Sequence, residues 1–397
     1  MRMADYHGWR VVLCAFVVAF FGWGLGFYGP GIYLVALQQR HGWSTGAIAA
    51  AITLYYVAGA LLIAGVGRAF ERFGPRRTVT AGCLAMAAGV VALSRVEAPW
   101  QVPLAFAAMA AGWAAMGTAA VNGMIAPWFE RRRGLAVSLA LNGASCGGVV
   151  MAPVLVALVA EFGFPTAAAL AAGSMLVLLL PLVATILRPR RADEHEGAAG
   201  PPAPRPAVPA APWNAAGTLR SRAFVTVSLP FALGLLAQVG LLTHQVAFLT
   251  PTLGVAAAGW AVSLTTAAAV AGRVGTGFVI DRVDPRAASA VNFLVQVAGL
   301  ACLLAGTPPL LLAGCVLFGL GVGNLITFPA IIVQREFPAA HFARVVGLVV
   351  AVNQFAFAFG PGLLGLLREW TGGYGTAIVL CMALQATAAA TVLVRPR

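Results

Sequence analysis

One arginine lies inside a long apolar run, where a charged side chain is costly to place. Arg273 is the only basic residue well within such a run, which extends over residues 256–280. Ionisable groups at membrane depth usually mark a substrate or ion pathway. A guanidinium offers a carboxylate two parallel hydrogen bonds and does not lose its proton. We therefore predict that Arg273 binds an anionic group; the alternatives are that it extends to the membrane surface or pairs with Asp281.

Only one side chain within the apolar runs could bind and release a proton near neutral pH. All 12 acidic residues lie between the runs or at their ends, and His244 is the only histidine within one. Histidine titrates near neutral pH, so His244 could carry a proton or hydrogen-bond a substrate. A packed or interfacial histidine is an equally good interpretation. A proton could also travel with the anion that Arg273 binds, without a protein group.

Catalytic and metal chemistry have no signal in the sequence. The six cysteines lie in apolar runs, with neither a pairing pattern nor the spacing of metal ligands. No cluster of His, Asp and Glu side chains and no nucleophile–base pair is present in the pattern. We therefore expect no enzyme activity, no catalytic residue, no metal site and no cofactor.

The composition indicates the environment that these residues occupy. The 397 residues are 60% hydrophobic and 9% charged, with a formal net charge of +13. Soluble domains carry about 25% charged residues, so this chain would expose apolar surface in water. The basic residues form short clusters between apolar runs rather than a patch with aromatic readers, which argues against nucleic acid as a partner. The chain is predicted to lie in a lipid bilayer.

Twelve apolar runs are long enough to cross a membrane, which takes about 20 residues each. The predicted spans are residues 11–37, 47–66, 78–93, 102–129, 135–159, 166–187, 224–248, 256–280, 287–305, 310–332, 345–367 and 376–394. The basic residues are all arginines; 21 lie in the termini and the loops after even-numbered spans, and three (Arg40, Arg95 and Arg368) lie in the opposite loops. The positive-inside rule then places both termini in the cytoplasm.

The break between spans 6 and 7 divides the chain into halves of similar length. Residues 188–222 begin with a basic cluster, pass through an acidic stretch and become rich in Pro and Ala. Such a segment cannot bury a core, so we predict a flexible or polyproline-like cytoplasmic linker. The expected organisation is an N-terminal six-helix bundle over residues 1–187, this linker, and a C-terminal six-helix bundle over residues 223–397.

The two halves repeat each other in sequence. After span 2 the chain reads G-R-A-F-E-R-F-G-P-R-R over residues 67–77, and after span 8 it reads G-F-V-I-D-R-V-D-P-R over residues 277–286. The acid, the Arg after it, the Pro and the next Arg match at an offset of 210, which is 281 minus 71. A second match, at an offset of 213, joins residues 131–147 to residues 344–360. A parallel repeat is expected for halves related by an axis along the membrane normal.

With these residues the chain resembles the major facilitator superfamily, whose loop element is G-x3-[DE]-R-x-G-x-R-R. The first half matches the element fully, with Glu71 where Asp is commoner, and the second half matches in part. The resemblance implies an all-α membrane protein with about 12 transmembrane helices in two six-helix bundles. It also implies a cytoplasmic latch of charges that steadies the outward-facing state; the alternative is a solvated loop that only sets topology. The predicted latch residues are Gly67, Glu71, Arg72, Gly74, Arg76, Arg77, Gly277, Asp281, Arg282 and Arg286.

A narrower resemblance rests on three further motifs. Y-H-G-W-R-V-V over residues 6–12 opens span 1, G-W-S over residues 42–44 ends the next loop, and W-F-E-R-R-R-G-L-A over residues 128–136 opens span 5. Together they resemble the bacterial branch of the monocarboxylate transporter family, which includes oxalate–formate antiporters. The resemblance implies that Arg273 holds a substrate carboxylate. Those antiporters add a lysine in span 11, where this chain has Asn353 and Gln354, so a single cation favours one carboxylate over two.

The resemblance also completes the expected site and function. Spans 1, 4, 7 and 10 line the cavity of this fold, and polar side chains on them are candidates for contact with substrate. The candidates besides Arg273 are Tyr28, Asn122, His244, Asn324, Asn353 and Gln354. For the amides, hydrogen bonding between helices is the alternative. We expect a monomeric secondary active transporter of the bacterial inner (plasma) membrane. It would move a small organic anion, in particular a monocarboxylate, by alternating access, with proton symport as one form of coupling; the alternatives are an anion antiporter and an efflux carrier for drugs or amphiphiles.

Overall fold

The computed structural model describes residues 6–130, 132–188, 190, 194, 214–338 and 341–395, without the side chains of residues 281 and 343. The described residues are almost entirely helical, and no strand occurs among them. Arg131 and most of the predicted linker lie outside the described residues. The chain forms two units, Met1–Pro202 and Ala203–Arg397, and their boundary falls within the predicted linker.

Unit 1, Met1–Pro202, consists of six helices among its described residues. They are α1 (His7–Trp23), α2 (Gly29–His41), α3 (Thr45–Leu93), α4 (Gln101–Met116), α5 (Thr118–Ile125) and α6 (Arg133–Ile186). Unit 2, Ala203–Arg397, is likewise helical where it is described. Its helices are α7 (Ala215–Arg220), α8 (Arg222–Leu253), α9 (Val255–Val279), α10 (Pro285–Ala305), α11 (Pro308–Val322), α12 (Phe328–Glu336), α13 (Phe342–Ala358), α14 (Gly360–Thr371) and α15 (Gly375–Val392).

Ten helical segments of the described chain are long and apolar enough to cross a membrane. Two of them are far longer than a bilayer requires, since α3 has 49 residues and α6 has 54. Each contains a glycine that leaves the helical conformation, Gly74 with φ 79° and Gly163 with φ 73°. Only glycine adopts such values without strain, so both positions end one span and begin another. With these two divisions, the described residues contain the twelve predicted spans.

Three spans are interrupted just before a proline. The interruptions are the π-helical segment Gly24–Tyr28 before Pro30, the 3₁₀ turn Gly323–Ile326 before Pro329, and Phe359 before Pro361. Proline has no N–H to donate to the carbonyl four residues earlier, yet it suits the first turn of the next helix. Each proline therefore leaves a backbone carbonyl at membrane depth that must find another donor.

A fourth interruption relates the two halves. Span 4 breaks at Gly117, whose ψ of −170° separates α4 from α5. With the repeat offset of 210, Gly117 corresponds to Thr327, the residue that directly follows the 3₁₀ turn of span 10. The repeat therefore extends from the sequence motifs to the position of a helix break.

Close helix packing in unit 1 depends on two glycines of α6. A Cβ atom added at Gly143 would lie 2.0 Å from the carbonyl oxygen of Phe16, and one at Gly147 would lie 2.3 Å from that of Phe20. Any side chain at either position would push α6 away from α1. Small residues of this kind let membrane helices approach and gain van der Waals contact.

Unit 2 packs around a cluster of buried aromatic and aliphatic side chains. Phe231 of α8, Phe293 of α10 and Phe328 of α12 all lie in it, together with residues of α13 and α15. The end of the segment that we predicted as a flexible or polyproline-like linker is helical. Asn214 caps α7 by accepting a 2.9 Å hydrogen bond from the Gly217 N–H, and α8 already begins at Arg222. Asn is a favoured N-cap residue, so Asn214 is a local signal for the start of a helix, which the Pro- and Ala-rich composition of the segment obscured.

Candidate functional site

Arg273 lies on α9, six residues before the helix ends at Val279, and its side chain is half-buried. At a rise of 1.5 Å per residue, its Cα is about 9 Å from that end of the helix. The Arg273 Nε donates a hydrogen bond of 3.3 Å to the carbonyl oxygen of Gly323. This bond is longer than the usual N–H···O distance of about 2.9–3.0 Å, and its acceptor is neutral. A carboxylate would be a stronger acceptor for the same cation.

The carbonyl that accepts from the Arg273 Nε lies where span 10 leaves the α-helical conformation. Gly323 is the first residue of the 3₁₀ turn Gly323–Ile326, between α11 and α12. A Cβ atom at this position would lie 2.7 Å from the carbonyl oxygen of Ala269 and 3.0 Å from the Arg273 Nε. Only glycine allows α9 and the turn to come this close. Discontinuous helices of this kind form the substrate sites of many secondary transporters.

Asn324, the next residue of the turn, joins three spans. Its Nδ2 lies 3.0 Å from the Thr276 Oγ1 on α9, 2.9 Å from the Asn292 Oδ1 on α10 and 3.3 Å from the carbonyl oxygen of Leu320. Because the Leu320 carbonyl can only accept, these contacts fix the orientation of the Asn324 amide. Thr276 is also one turn from Arg273 on α9. The turn is therefore held by Thr276, close to the arginine on α9, and by Asn292 on α10.

Further amides extend this network through unit 2. Asn292 Nδ2 donates to the carbonyl oxygen of Gly321 at 3.2 Å, and Gln385 Nε2 donates to Gln296 Oε1 at 2.6 Å and to the Gly234 carbonyl at 3.3 Å. Asn292 and Gln296 lie one turn apart and share a face of α10. Four of these residues were not candidates from the sequence: Thr276, Asn292, Gln296 and Gln385. Asn292 and Gln296 are two amides at i and i+4 within an apolar run, and this spacing was the signal that could have revealed them.

Buried polar side chains are concentrated in unit 2. Among the described residues, unit 1 has two of them, Thr45 and Ser94, whereas unit 2 has sixteen. A polar side chain inside a membrane protein must be hydrogen-bonded, so it is retained where it has a structural or functional role. Unit 2 therefore contains most of the polar chemistry available at membrane depth.

His244 lies in a different part of unit 2 from the 3₁₀ turn. Its Nε2 donates to the carbonyl oxygen of Pro361 at 2.9 Å, its Nδ1 accepts from the Tyr374 hydroxyl at 3.0 Å, and the residue has no exposed surface. A carbonyl only accepts, so the proton of a neutral ring is on Nε2. Both ring nitrogens are thus used in joining α8 to span 11 and to the residue before α15. This geometry favours the packed histidine of the two interpretations.

The remaining candidates are distributed over both units. Asn353, buried, and Gln354, half-buried, are on α13 of unit 2. Asn122 lies on α5 of unit 1, where its Nδ2 donates to the Thr118 carbonyl of its own helix at 2.9 Å. Tyr28 is half-buried at the end of the π-helical segment. Among the candidates, Asn324 is the one that directly follows Gly323, whose carbonyl accepts from Arg273.

Unit 1 presents aromatic rather than polar chemistry at its interrupted span. Pro30 cannot donate to the carbonyl of Gly26, and the Tyr55 hydroxyl donates to that carbonyl instead, at 2.7 Å. Phe27 stacks on Trp113, with ring centroids 6.2 Å apart and planes 21° apart. The π-helical segment is thus stabilised by a tyrosine of span 2 and a tryptophan of span 4. Such segments are frequent at functional sites.

The predicted latch segment of unit 1 is a solvent-facing turn. Gly74 forms the turn, and the Thr78 hydroxyl donates to its carbonyl at 2.9 Å. The charged members of the segment are exposed, and none of them belongs to the ion pairs Arg188–Glu194, Arg286–Glu336 and Asp284–Arg395. These charged residues are Glu71, Arg72, Arg76 and Arg77. In unit 2, Gly277 and Arg282 are likewise exposed, and the side chain of Asp281 lies outside the described residues.

Arg286 departs from this pattern, because it is buried rather than solvated. It occupies the repeat position of Arg76, yet only 2% of its surface is exposed. Its Nε and a terminal nitrogen bind Glu336 at 2.6 and 2.8 Å, and another terminal nitrogen donates to the Val392 carbonyl at 2.7 Å. Arg286 therefore ties the start of α10 to the ends of α12 and α15. The sequence match did not predict this, since Glu336 lies 50 residues away in the chain.

The fold and the site define the class of protein. Two units of six spans each, with helices that break at membrane depth and a cation at one of the breaks, form a polytopic membrane protein built for transport. No group of three or more His, Cys, Asp or Glu side chains in the described chain could hold a metal ion.

Comparison with known sequences and structures identifies the family. The sequence profile of the Major Facilitator Superfamily matches residues 12–255 and 245–397, so the chain belongs to this family of transporters. It is 29% identical to MFS-type transporter 1 of Ophiocordyceps sp. over 344 residues, 83% of this chain and 72% of the relative. It is 27% identical to Monocarboxylate transporter 11 of Mus musculus over 394 residues, 94% and 84% of the two chains. The crystal structure of nucleoside transporter NupG superimposes with a TM-score of 0.74 and 14% identity, covering 99% and 98%. The predicted superfamily and the all-α fold of two six-helix bundles are confirmed.

Proposed function

We propose that this transporter moves a small organic anion with one carboxylate, and that Arg273 binds the carboxylate. The observation that carries the proposal is the contact between the half-buried Arg273 and the Gly323 carbonyl at the break of span 10. The similarity to Monocarboxylate transporter 11 along 94% of the chain supports the same substrate class. The protein would work as a monomer in a bacterial inner membrane, with both termini in the cytoplasm, by alternating access.

The chemistry of the anchor favours a monoanion. A guanidinium pairs with a carboxylate through two parallel charge-assisted hydrogen bonds, each about twice as strong as a neutral one. Arg273 is the only basic residue of α9, a helix without acidic residues. Binding of one carboxylate neutralises the one cation of the helix, whereas a dicarboxylate would bring a second negative charge into a medium where it is costly.

Coupling to protons follows from the same electrostatics. The helix that carries Arg273, α9, contains no acidic residue that could take up a proton. His244 has both ring nitrogens in hydrogen bonds and no exposed surface, so we leave it out of the proposed substrate set. We propose that the proton accompanies the anion. The variant His244→Gln would then retain proton-driven uptake, and loss of the gradient dependence alone in this variant would return the coupling role to His244.

Uptake into proteoliposomes tests the proposal. Labelled lactate, pyruvate and oxalate would be offered to the wild type and Arg273→Gln, with and without an inward proton gradient. We expect gradient-driven uptake of the two monocarboxylates, little uptake of oxalate, and no uptake by Arg273→Gln. Arg220→Gln, which removes an exposed arginine of α7, is the matched control and would transport normally. Normal uptake by Arg273→Gln would remove the anchor from the proposal.

Efflux of an amphiphilic compound is a second candidate, because unit 1 has aromatic side chains around its interrupted span. Trp23 and Phe27 both pack on Trp113, at centroid distances of 5.0 and 6.2 Å, and Trp23 and Phe27 are half-exposed. Flat aromatic surfaces suit large apolar ligands. Resistance of cells to amphiphilic toxins on expression of the protein, lost in Trp113→Ala and kept in Arg273→Gln, would favour this candidate over the first.

A further inference from the structure

Two of the three arginines on the arginine-poor side of the chain meet in unit 1. Arg40, in the last turn of α2, donates from a terminal nitrogen to the carbonyl oxygen of Ser94 at 2.6 Å. Ser94 is the C-cap of α3, and Arg95 follows it with an exposed side chain. The nearby ionisable groups are His41, which stacks on Trp43, and the exposed Glu97. Beside Ser94 the two arginines are accompanied by one acid, whereas the other acid on this side of the unit, Glu161, lies in the turn at Gly163 between spans 5 and 6.

A groove begins at Arg95, next to the Ser94 carbonyl that binds Arg40, and continues along the surface of the unit. It has a volume of about 410 Å³ and lies between the second half of α3 and α4. Its walls are mainly small apolar residues, with two polar groups at the end near Ser94. The residues that define it are Ala88, Ala92, Arg95, Gln101, Leu104 and Ala108. From residue 95 to residue 88, and from 101 to 108, it extends about 10 Å along the helices.

The polar end of the groove has the composition of a membrane interface. Trp100 is 66% exposed beside it, as is typical of the aromatic belts at the headgroup level. Gln101 holds the connecting turn, since its Oε1 accepts from the backbone N–H groups of Glu97 and Ala98 at 2.7 and 3.2 Å. The bonds to Gln101 hold the cationic end in place, and an interfacial Trp100 would put that end at headgroup depth and the alanine-lined part at acyl-chain depth.

We propose that this groove binds one anionic phospholipid, with its phosphate at Arg40 and Arg95 and an acyl chain between α3 and α4. Charge complementarity selects the lipid, because a zwitterionic headgroup gains much less from two arginines than an anionic one. The alanines leave a channel where larger side chains would fill it. The site is in unit 1, at the opposite end of the spans from the latch segment, and is independent of Arg273.

Native mass spectrometry of the purified protein with phosphatidylglycerol or phosphatidylcholine of the same acyl chains tests the site. We expect one phosphatidylglycerol bound in preference to phosphatidylcholine, and a loss of affinity of about fivefold in Arg95→Gln. This variant keeps the bond from Arg40 to Ser94, so its fold is retained. Ala92→Phe, at an exposed position in the groove, should weaken binding of both lipids. Arg368→Gln, which removes the third arginine of this side, is the control and should bind like the wild type.

Four results would overturn the proposal. Equal binding of the two lipids would show that charge does not select the occupant. Unchanged phosphatidylglycerol affinity in Arg95→Gln would remove the headgroup contact, and unchanged affinity in Ala92→Phe would remove the acyl groove. Glycerophosphate added without acyl chains should compete weakly; competition as strong as that of the lipid would reassign the site to a soluble phosphate.

Discussion

A methyl group at Gly323 should weaken substrate binding although it leaves Arg273 in place. In Gly323→Ala the new Cβ would lie 2.7 Å from the Ala269 carbonyl oxygen, whereas ordinary contact begins near 3.4 Å. The α9 helix and the 3₁₀ turn must therefore separate by roughly 0.7 Å, the difference between these two distances. The hydrogen bond from Arg273 to the Gly323 carbonyl, now 3.3 Å, would lengthen to about 4.0 Å and be lost.

The size of the effect follows from these two changes. Overpacking of this kind costs about 1–3 kcal/mol of stability. The arginine also loses the contact that orients it, and a hydrogen bond to a charged group contributes about 1.5–3 kcal/mol. Since about 1.4 kcal/mol corresponds to a factor of ten, the KM for uptake of a monocarboxylate should rise at least tenfold.

The assay is concentration-dependent uptake into proteoliposomes, with thermal unfolding of the purified protein measured in parallel. Gly275→Ala is the control, because Gly275 lies on the same helix, two residues from Arg273, and a Cβ there meets nothing within 4 Å. Alanine is the better helix former, so this variant should be as stable as the wild type and transport normally. If Gly323→Ala had wild-type KM and stability, the close approach of α9 to the turn would not position the arginine.

Three further predictions concern the scaffold around the sites. Tyr55→Phe removes the hydroxyl that donates to the Gly26 carbonyl and should lower the stability measured by thermal unfolding by about 1 kcal/mol. Unchanged stability would mean that the carbonyl finds another donor. Glu336→Gln leaves the buried charge of Arg286 without its ion-pair partner and should cost about 3 kcal/mol; a loss below 1 kcal/mol would mean that the backbone carbonyls alone compensate the charge. Although burial raises the pKa of Asp284, hydrogen bonds that include one from the backbone N–H of Arg286 outweigh it and lower the pKa. A carboxylate with a lowered pKa stabilises the fold at pH values above the ordinary aspartate pKa of about 3.9, and this contribution is lost as the pH falls below that value. In Asp284→Asn the decline of the free energy of unfolding at acid pH should therefore be less steep, and an unchanged decline would contradict this.

The spans were predictable from the sequence because hydropathy depends on residue type alone. The apolar runs gave twelve spans, and twelve are present once α3 and α6 are divided at Gly74 and Gly163. The breaks inside spans were not predicted, since Gly24–Tyr28 and Gly323–Ile326 are as apolar as their neighbours. The prolines that follow them carried the signal. They show which backbone carbonyl loses its donor, but not which side chain replaces that donor.

The site was predictable in its charge and not in its partners. Arg273 stands out because a cation in an apolar run is rare, and Asn324 was a candidate because it is a polar residue on span 10, one of the spans expected to line the cavity. Their proximity depends on the packing of α9 against span 10, with the two residues 51 positions apart in the chain. From the sequence, His244 was as good a candidate for proton transfer as for packing between helices. Its hydrogen bonds are to Pro361 and Tyr374, which lie more than 100 positions away in the chain. Sequence patterns of one helix cannot show such contacts.

Direct binding of a labelled monocarboxylate to the purified protein tests the role of Arg273 most directly. Scintillation proximity would give the Kd of pyruvate for the wild type, Arg273→Gln and the control Arg220→Gln. Two charge-assisted hydrogen bonds to the carboxylate contribute about 3 kcal/mol, so Arg273→Gln should weaken binding about 100-fold while Arg220→Gln leaves it unchanged. Equal Kd values for all three proteins would contradict the assignment of Arg273 as the anion anchor.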